Sequence, residues 1–250
     1  MLIISENEND PIWSEVFAQI ELLQADATAD IANLEGIEWA FLLGGDLQIP
    51  PKTLEKHLAT DSSFFCEVLE RAFFKFKPSE KAQIARRKTY PDIIVQKAFR
   101  LLDNWKAVPG MENSVFSQEY FQEWIKEVKE KSEKLGLWKY AQRTIGKALF
   151  YAPKDPSGFW IHKSIAKVLD KLESEGMRLG LYLSIVNSRG VHNIDPSGDP
   201  EKELAARFRK QAKETEDNAF PMLAKMLKDV ADGYIQEAER IIDEYQNQEC

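Results

Sequence analysis

Apolar residues recur at helical spacing along nearly the whole chain. After Asp10 and Pro11, large apolar residues follow mostly at intervals of three or four positions as far as Leu23. An acid before a proline is typical of a helix start. The acid side chain accepts a hydrogen bond from a free backbone N–H of the first turn, and the proline has no backbone N–H that would need a partner there. The pattern therefore predicts a first amphipathic helix that ends near Ala25.

Turn and cap residues divide the rest of the chain into further segments with the same periodicity. A segment from Ile31 is apolar almost all round and stops at Gly44-Gly45, which is typical of a helix central to a core. Further helices are predicted after Pro50-Pro51, Asp61, Ser117, Gly176 and Asp199, from Asp92, and over 138–151, 157–172 and about 220–245.

These segments predict an all-α fold of nine or ten helices. The stretch 181–186 alternates as a strand does, but we predict a helix there, because a lone strand has no partner and no hairpin signal is evident. Short links favour antiparallel neighbours. Stacked helical hairpins of the HEAT or armadillo kind, which form a solenoid, and an irregular helical bundle both satisfy this pattern.

The tetrapeptide Asp155-Pro-Ser-Gly158 recurs at Asp195-Pro-Ser-Gly198. The spacing of forty residues is near the period of helical solenoid repeats. The flanking residues do not match, so the repeated use of a favoured turn is the interpretation that we prefer.

The composition changes between Lys75 and Tyr90 to mostly polar residues. Pro78 and Pro91 bracket this stretch, as expected for a connector between subdomains. We therefore predict a helical subdomain over 1–77, a polar connector over 78–91 and a second helical subdomain over 92–250.

The net charge of the chain disfavours some classes of function. Asp and Glu outnumber Lys and Arg by 41 to 33, a net charge of −8, which argues against non-specific binding to nucleic acid or anionic membrane. The N-terminus lacks the basic region of a secretion signal, and no apolar stretch approaches the length of a membrane span. The two cysteines, Cys66 and Cys250, lie far apart and do not form the framework of a disulfide-rich protein. This indicates a reducing compartment, so we predict a cytoplasmic protein.

The loop 187–199 is the most unusual stretch of the sequence. Arg189, His192, Asp195 and Asp199 lie together there with two glycines, and an arginine beside a glycine can hold an anion or a partner protein. The alternative is a connector in which Arg189 caps carbonyls or pairs with a nearby acid.

Specific chemistries find no support in the sequence. It has no P-loop, no nucleophile elbow and no zinc motif, and Pro200 stands where a calcium loop needs glycine. We therefore predict no metal and no cofactor.

A local basic run, which includes Arg86, Arg87 and Lys88 and is interleaved with aromatic residues, is the candidate for nucleic acid over 75–90. It would give steeply salt-dependent affinity for single strands. A solvated linker is the alternative.

Three parts of the sequence carry a resemblance. They are Leu34 to Phe41 with Pro51 to Leu54 and Ser63 to Val68, Ala98 to Trp105 with Pro109-Gly110, and Asn187 to Val191. Together they resemble a helical region near the C-terminus of large bacterial proteins of uncharacterised function. The resemblance implies kinship with multidomain sensors or defence factors, and it brings no catalytic motif.

The leading hypothesis is a non-enzymatic helical scaffold that binds another protein, encoded nearby, within bacterial antiviral defence. Six tryptophans fall almost one per helix, and those on a concave face would anchor a partner. The alternatives are a hydrolase or nucleotide-handling enzyme that uses 187–199, and single-strand binding through 75–90.

Overall fold

The computed structural model describes residues 11–26, 28–43, 49–74, 90–190 and 194–246. Within them the chain is helical almost throughout, which confirms the all-α class. Whether the helices form a solenoid or an irregular bundle stays a prediction. The helices are α1 Pro11–Ala25, α2 Ile31–Phe41, α3 Lys52–Thr60, α4 Ser62–Phe73, α5 Asp92–Asp103, α6 Gln118–Lys134, α7 Trp138–Ala148, α8 Lys163–Leu169, α9 Glu175–Asn187, α10 Asp199–Asp217 and α11 Pro221–Gln246.

The chain divides into two compact units, Met1–Ala141 and Gln142–Cys250, with the division inside α7. In the first unit α4 packs against α5 and α6, and in the second α10 packs along α11. Of the predicted connector 78–91, only Tyr90 and Pro91 lie within the described residues. The subdomain boundary there stays a prediction.

Several predicted helix starts are confirmed with their caps. The Asp61 carboxylate accepts the N–H groups of Ser63 at 2.7 Å and Phe64 at 3.1 Å. The Ser117 hydroxyl accepts the N–H of Tyr120 at 3.3 Å. The ambiguous stretch 181–186 is helical within α9, as predicted. Gly44-Gly45 lies outside the described residues.

The predicted helix over 157–172 is wrong in its first third. Helix α8 begins only at Lys163, and the imidazole Nδ1 of His162 caps it by accepting the N–H of Ser164 at 3.3 Å. The residues before it form a turn in which Asp155 also holds the N–H of Lys163 at 2.9 Å. Apolar spacing alone did not reveal that this turn, rather than the first helical residues, carries Phe159 and Ile161.

The sequence also gave no sign of a small hairpin between α5 and α6. Strands β1 (Met111–Glu112) and β2 (Val115–Phe116) pair antiparallel. Asn113 and Ser114 at its turn have φ of 47° and 65°, the left-handed values that a two-residue hairpin turn requires. Glycine is the usual residue at the second of these positions, so an Asn-Ser turn is a weak signal.

Buried aromatic rings form the core of the first unit. Phe65, Trp105 and Trp124 meet with ring centroids 5.2 to 5.9 Å apart, and each is almost fully buried. They tie α4 and α6 to the segment after α5.

Two buried carboxylates complete the first unit's core. Glu38 of α2 accepts the N–H groups of Thr53 at 2.9 Å and Leu54 at 2.8 Å, so it caps the start of α3. Glu55 accepts the N–H of Lys106 at 2.9 Å, and burial raises the pKa of its carboxyl. These acids bind backbone N–H groups of distant segments, which stabilises the packing of α2 and α3.

Glycines set a close helix crossing in the second unit. A Cβ on Gly146 of α7 would overlap the carbonyl of Met177, and a Cβ on Gly180 of α9 would overlap the carbonyl of Arg143. The two helix backbones therefore approach each other more closely than any side chain would allow. Ser184 donates to the carbonyl of Lys147 at 3.3 Å along the same contact.

None of the described helices has both the length and the apolar character needed to cross a membrane.

We expect Gly146→Ala and Gly180→Ala each to lower the free energy of unfolding by about 3 kcal/mol, because overpacking a rigid backbone contact forces the helices apart. Urea denaturation followed by circular dichroism measures this.

Gly233→Ala is the matched control. Gly233 lies in α11 of the same unit, where a Cβ would meet only the Tyr182 hydroxyl at 3.7 Å. This substitution should be neutral or should stabilise by up to about 1 kcal/mol. Equal effects at Gly146 and Gly233 would contradict the close crossing.

Candidate functional site

The structure gives Arg189 an internal partner. Its Nη1 lies 2.5 Å from Oε1 of Glu201, and the Glu201 side chain in the first turn of α10 is fully buried. The Arg189 side chain is 19% exposed. The interpretation in which Arg189 pairs with a nearby acid is therefore the one observed.

Other groups in the second unit surround this ion pair. Tyr234 of α11 is buried and stacks on Phe208 of α10, with ring centroids 5.8 Å apart. Burial raises the pKa of the Tyr234 hydroxyl, and the positive charge of Arg189 acts in the opposite direction. Arg189 thus lies close enough to α11 for its charge to act on Tyr234.

Of the other predicted loop residues, Asp195 and Asp199 lie in the described part of the chain, and neither pairs with Arg189. Asp195 and Asp199 are both exposed: Asp195 accepts the N–H of Ser197 at 2.9 Å, and Asp199 pairs with Lys202 at 3.0 Å. The N-cap of α10 is Gly198 rather than the predicted Asp199, which lies one residue inside the helix. His192 lies outside the described residues, as do Arg86, Arg87 and Lys88.

The repeated tetrapeptide forms the same turn twice. In each copy the aspartate side chain accepts the N–H of the serine, its carbonyl accepts the N–H of the glycine, and that glycine has positive φ. The hydrogen bonds from Ser157 and Lys163 lower the pKa of Asp155 to about 2. The first copy precedes α8 by several residues and the second adjoins α10, so the shared feature is local turn chemistry.

Sequence reasoning missed a polar cluster between α4 and α6. The Ser62 hydroxyl contacts both Glu127 and Lys131, with its Oγ 2.6 Å from the Lys131 Nζ. Lys131 also donates to Ser63 at 2.9 Å and pairs with Glu127 at 3.3 Å. A serine beside a lysine is one arrangement for nucleophilic catalysis. Here Ser62 and Lys131 both bind Glu127, and the hydrogen bond from Ser62 and the charge of Lys131 lower the pKa of that carboxyl. The cluster therefore acts as a clamp between the two helices.

His57 and Cys66 are occupied in the same unit. His57 stacks on Phe64 with ring centroids 3.9 Å apart, and its Nδ1 lies 2.7 Å from Glu35. Burial raises the pKa of the Cys66 thiol to about 11, which disfavours the reactive thiolate. Across the residues described, no group of three or more His, Cys, Asp or Glu side chains is placed to hold a metal ion.

One helix face in the second unit is apolar and open to solvent. Leu179 is 46% exposed and Val186 is 38% exposed, with the partly exposed Leu183 between them. Their spacing places them on one side of α9. We call these three residues the α9 stripe. Leu172, in the 3-10 turn just before α9, is 77% exposed.

Neighbouring elements hold both sides of α9 and leave the stripe uncovered. On one side, α7 packs at Gly180 and Ser184. On the other side, Arg178 donates to the carbonyls of Leu169 and Lys171, each at 2.6 Å, and so fixes the end of α8. The α9 stripe therefore lies on a rigidly held helix and is our candidate functional site.

No known protein family, curated protein or solved structure matches the chain.

The sequence contained part of the signal for this site. Leu179, Leu181, Leu183 and Ile185 all belong to one apolar run in a segment that the sequence predicts to be helical. In the structure Leu181 and Ile185 are buried, whereas Leu179 and Val186 face solvent. The sequence pattern shows that the helix has more apolar residues than one buried face can hold. Only the positions of the neighbouring helices show which of these residues stay exposed to solvent.

Breaking the Arg189–Glu201 pair tests its structural role. We expect Arg189→Gln and Glu201→Gln each to lower the free energy of unfolding by about 3 kcal/mol, because each removes one partner of an ion pair whose carboxylate is fully buried. The double variant should lose clearly less than the sum of the two. Urea denaturation of the four proteins measures the coupling.

The exposed pair of Arg209 and Asp232, 3.3 Å apart, is the control for this cycle. Arg209→Gln should cost less than about 0.5 kcal/mol. Additive losses at Arg189 and Glu201 would show that the two side chains act independently.

Proposed function

We propose that the chain is a non-enzymatic helical module that binds another protein, and that a helix of this partner covers the α9 stripe. The observation that carries the proposal is the exposure of Leu179 and Val186 on a helix whose other sides are fixed by α7, α8 and α11. Apolar residues one turn apart are the usual anchors for a partner helix, which packs its own apolar face against them.

The energetics favour covering this face. Burying a fully exposed leucine or valine side chain gains about 1.5 to 3 kcal/mol, and covering Leu179 or Val186, which are already partly buried, would gain about half of that. Because α9 is already held in place, little conformational entropy of the helix is lost when a partner binds.

The loop 187–199 supports the enzyme alternatives less well. A nucleotide or an anionic substrate would need the Arg189 guanidinium, and that group already faces the buried carboxylate of Glu201. Withdrawing Arg189 would remove an ion-pair partner from a fully buried carboxylate, which is costly.

The resemblance to large bacterial proteins supports a place for this module in a bacterial defence system. In such a system the partner would be encoded by a neighbouring gene. Recurrent neighbours that encode a nuclease, an ATPase or a toxin would strengthen this part of the proposal, and unrelated neighbours in different genomes would weaken it.

Photo-crosslinking in the native host tests the proposed surface. A photoreactive residue in place of Val186 should form a covalent adduct with one partner protein. The same residue in place of Lys213, which is exposed on α10, should not form that adduct.

Calorimetry with purified proteins then tests whether the crosslinked partner binds this surface. The partner should bind the wild-type chain, and Leu179→Glu should weaken that binding at least about tenfold because it places a charge in an apolar interface. The control Lys213→Glu should leave the affinity unchanged. Thermal melts of all variants establish that they fold. Identical crosslinking at both positions, or an adduct with a second copy of this chain, would refute the proposal.

A further inference from the structure

Basic residues outnumber acids in the segment that precedes α9, although the whole chain is acidic. The segment 143–171 contains six Lys and Arg residues and two acids. Both acids are turned to backbone groups: Asp155 accepts the N–H groups of Ser157 and Lys163, and Asp170 accepts those of Met222 and Leu223 at 2.7 and 3.0 Å. The two carboxylates of this segment therefore neutralise little of the positive charge on its Lys and Arg side chains.

On α10 and α11, four of the eight Lys and Arg side chains pair with an acid. These are Lys202, Arg209, Lys228 and Arg240, each within 4.0 Å of its partner. In contrast, Arg143 on α7 and Lys163, Lys167 and Lys171 on and after α8 are exposed, and within the described chain no carboxylate lies within ion-pair distance of them.

Two of these basic residues have backbone carbonyls next to α9, on opposite sides of the stripe. The Arg143 carbonyl lies against Gly180 on the α7 side of α9. The Lys171 carbonyl accepts the Arg178 guanidinium on the α8 side, one residue from Leu179. Lys163 and Lys167, one helical turn apart, extend the basic row along α8 towards Lys171. Two exposed acids also lie near the stripe in the sequence: Glu175, one turn before Leu179 on α9, and Glu173, next to Leu172.

We propose that the partner helix covering the α9 stripe is acidic and amphipathic, with a narrow apolar edge bordered by Asp or Glu on both sides. This inference rests on the proposed function and adds the chemistry of the partner. The apolar edge would pack on Leu179, Leu183 and Val186. Its flanking carboxylates would meet Arg143 on one side and the row that ends at Lys171 on the other.

A protein helix fits this surface better than a nucleic acid does. A phosphate backbone could pair with the lysines, but it would leave the apolar stripe and Leu172 uncovered. The net charge of −8 would also repel a long polyanion, whereas a short helix with a few carboxylates experiences mainly the local field.

Designed peptides test the proposal on the full chain by fluorescence anisotropy. Three helical peptides share one length: leucines at i, i+4, i+7 and i+11 flanked by glutamates, the same leucines flanked by lysines, and the glutamate peptide with serine for leucine. The first should bind at least about tenfold more tightly than the second at low salt, with a smaller gap at high salt. The serine peptide should bind weakly at both.

Variants of the chain connect this preference to the named residues. Arg143→Gln combined with Lys171→Gln should remove most of the preference for the acidic peptide. The control pair Lys213→Gln and Lys225→Gln removes the same charge from exposed positions on α10 and α11 and should leave the preference intact.

The outcomes separate this inference from the proposed function. Equal affinity for the acidic and basic peptides, with both weakened by Leu179→Glu, would overturn the acidic partner and leave the stripe as a binding face. Equal losses in the two glutamine pairs, or displacement of the acidic peptide by a single-stranded oligonucleotide, would also overturn the inference. No binding of any leucine peptide, together with no crosslink at position 186, would overturn both.

Discussion

Satisfying the backbone at helix ends is the constraint on which this structure depends. Each helix leaves its first N–H groups and last carbonyls without partners inside the helix, and in a chain built of short helices these groups recur every dozen or so residues. In this chain, side chains from distant positions form hydrogen bonds with several of these N–H and carbonyl groups. Glu38 caps α3, Asp170 caps α11 and Arg178 holds the end of α8. These bonds join the helices together, so they fix the packing as well as the local ends.

This constraint explains what could be predicted from the sequence. The helices and their class follow from local periodicity, and caps such as Asp61 and Ser117 precede their own helices in the chain. The long-range caps carry no such signal, because Glu38 lies in the middle of one helix and binds the start of another. The short α8 shows the same limit, since its start depends on a turn built by Asp155.

The candidate site was predicted less well than the fold, because the sequence singled out Arg189 and not the exposed face of α9. Arg189 stood out because a loop with arginine and glycine can bind anions, yet its partner Glu201 was already in the sequence as part of a helix start. Sequence proximity gave no measure of burial, and a fully buried carboxylate needs a cation nearby. The open face of α9 was hidden for the opposite reason. Its apolar residues look like core residues until the positions of α7 and α8 are known.

The same contacts that hold α9 also define its open face. Glycines at the α7 crossing and Arg178 at the α8 end occupy two sides of the helix, whereas Leu179, Leu183 and Val186 stay partly exposed to solvent. An isolated exposed leucine needs no explanation, whereas three apolar residues aligned on one rigid helix form a continuous surface. The α7 crossing places Arg143 next to α9 on one side, and the Arg178 contact places Lys171 next to α9 on the other, so the proposed acidic partner follows from the fold as well as from the charge. The contacts that fix α9 therefore also determine the position of the surface that we propose for a partner helix.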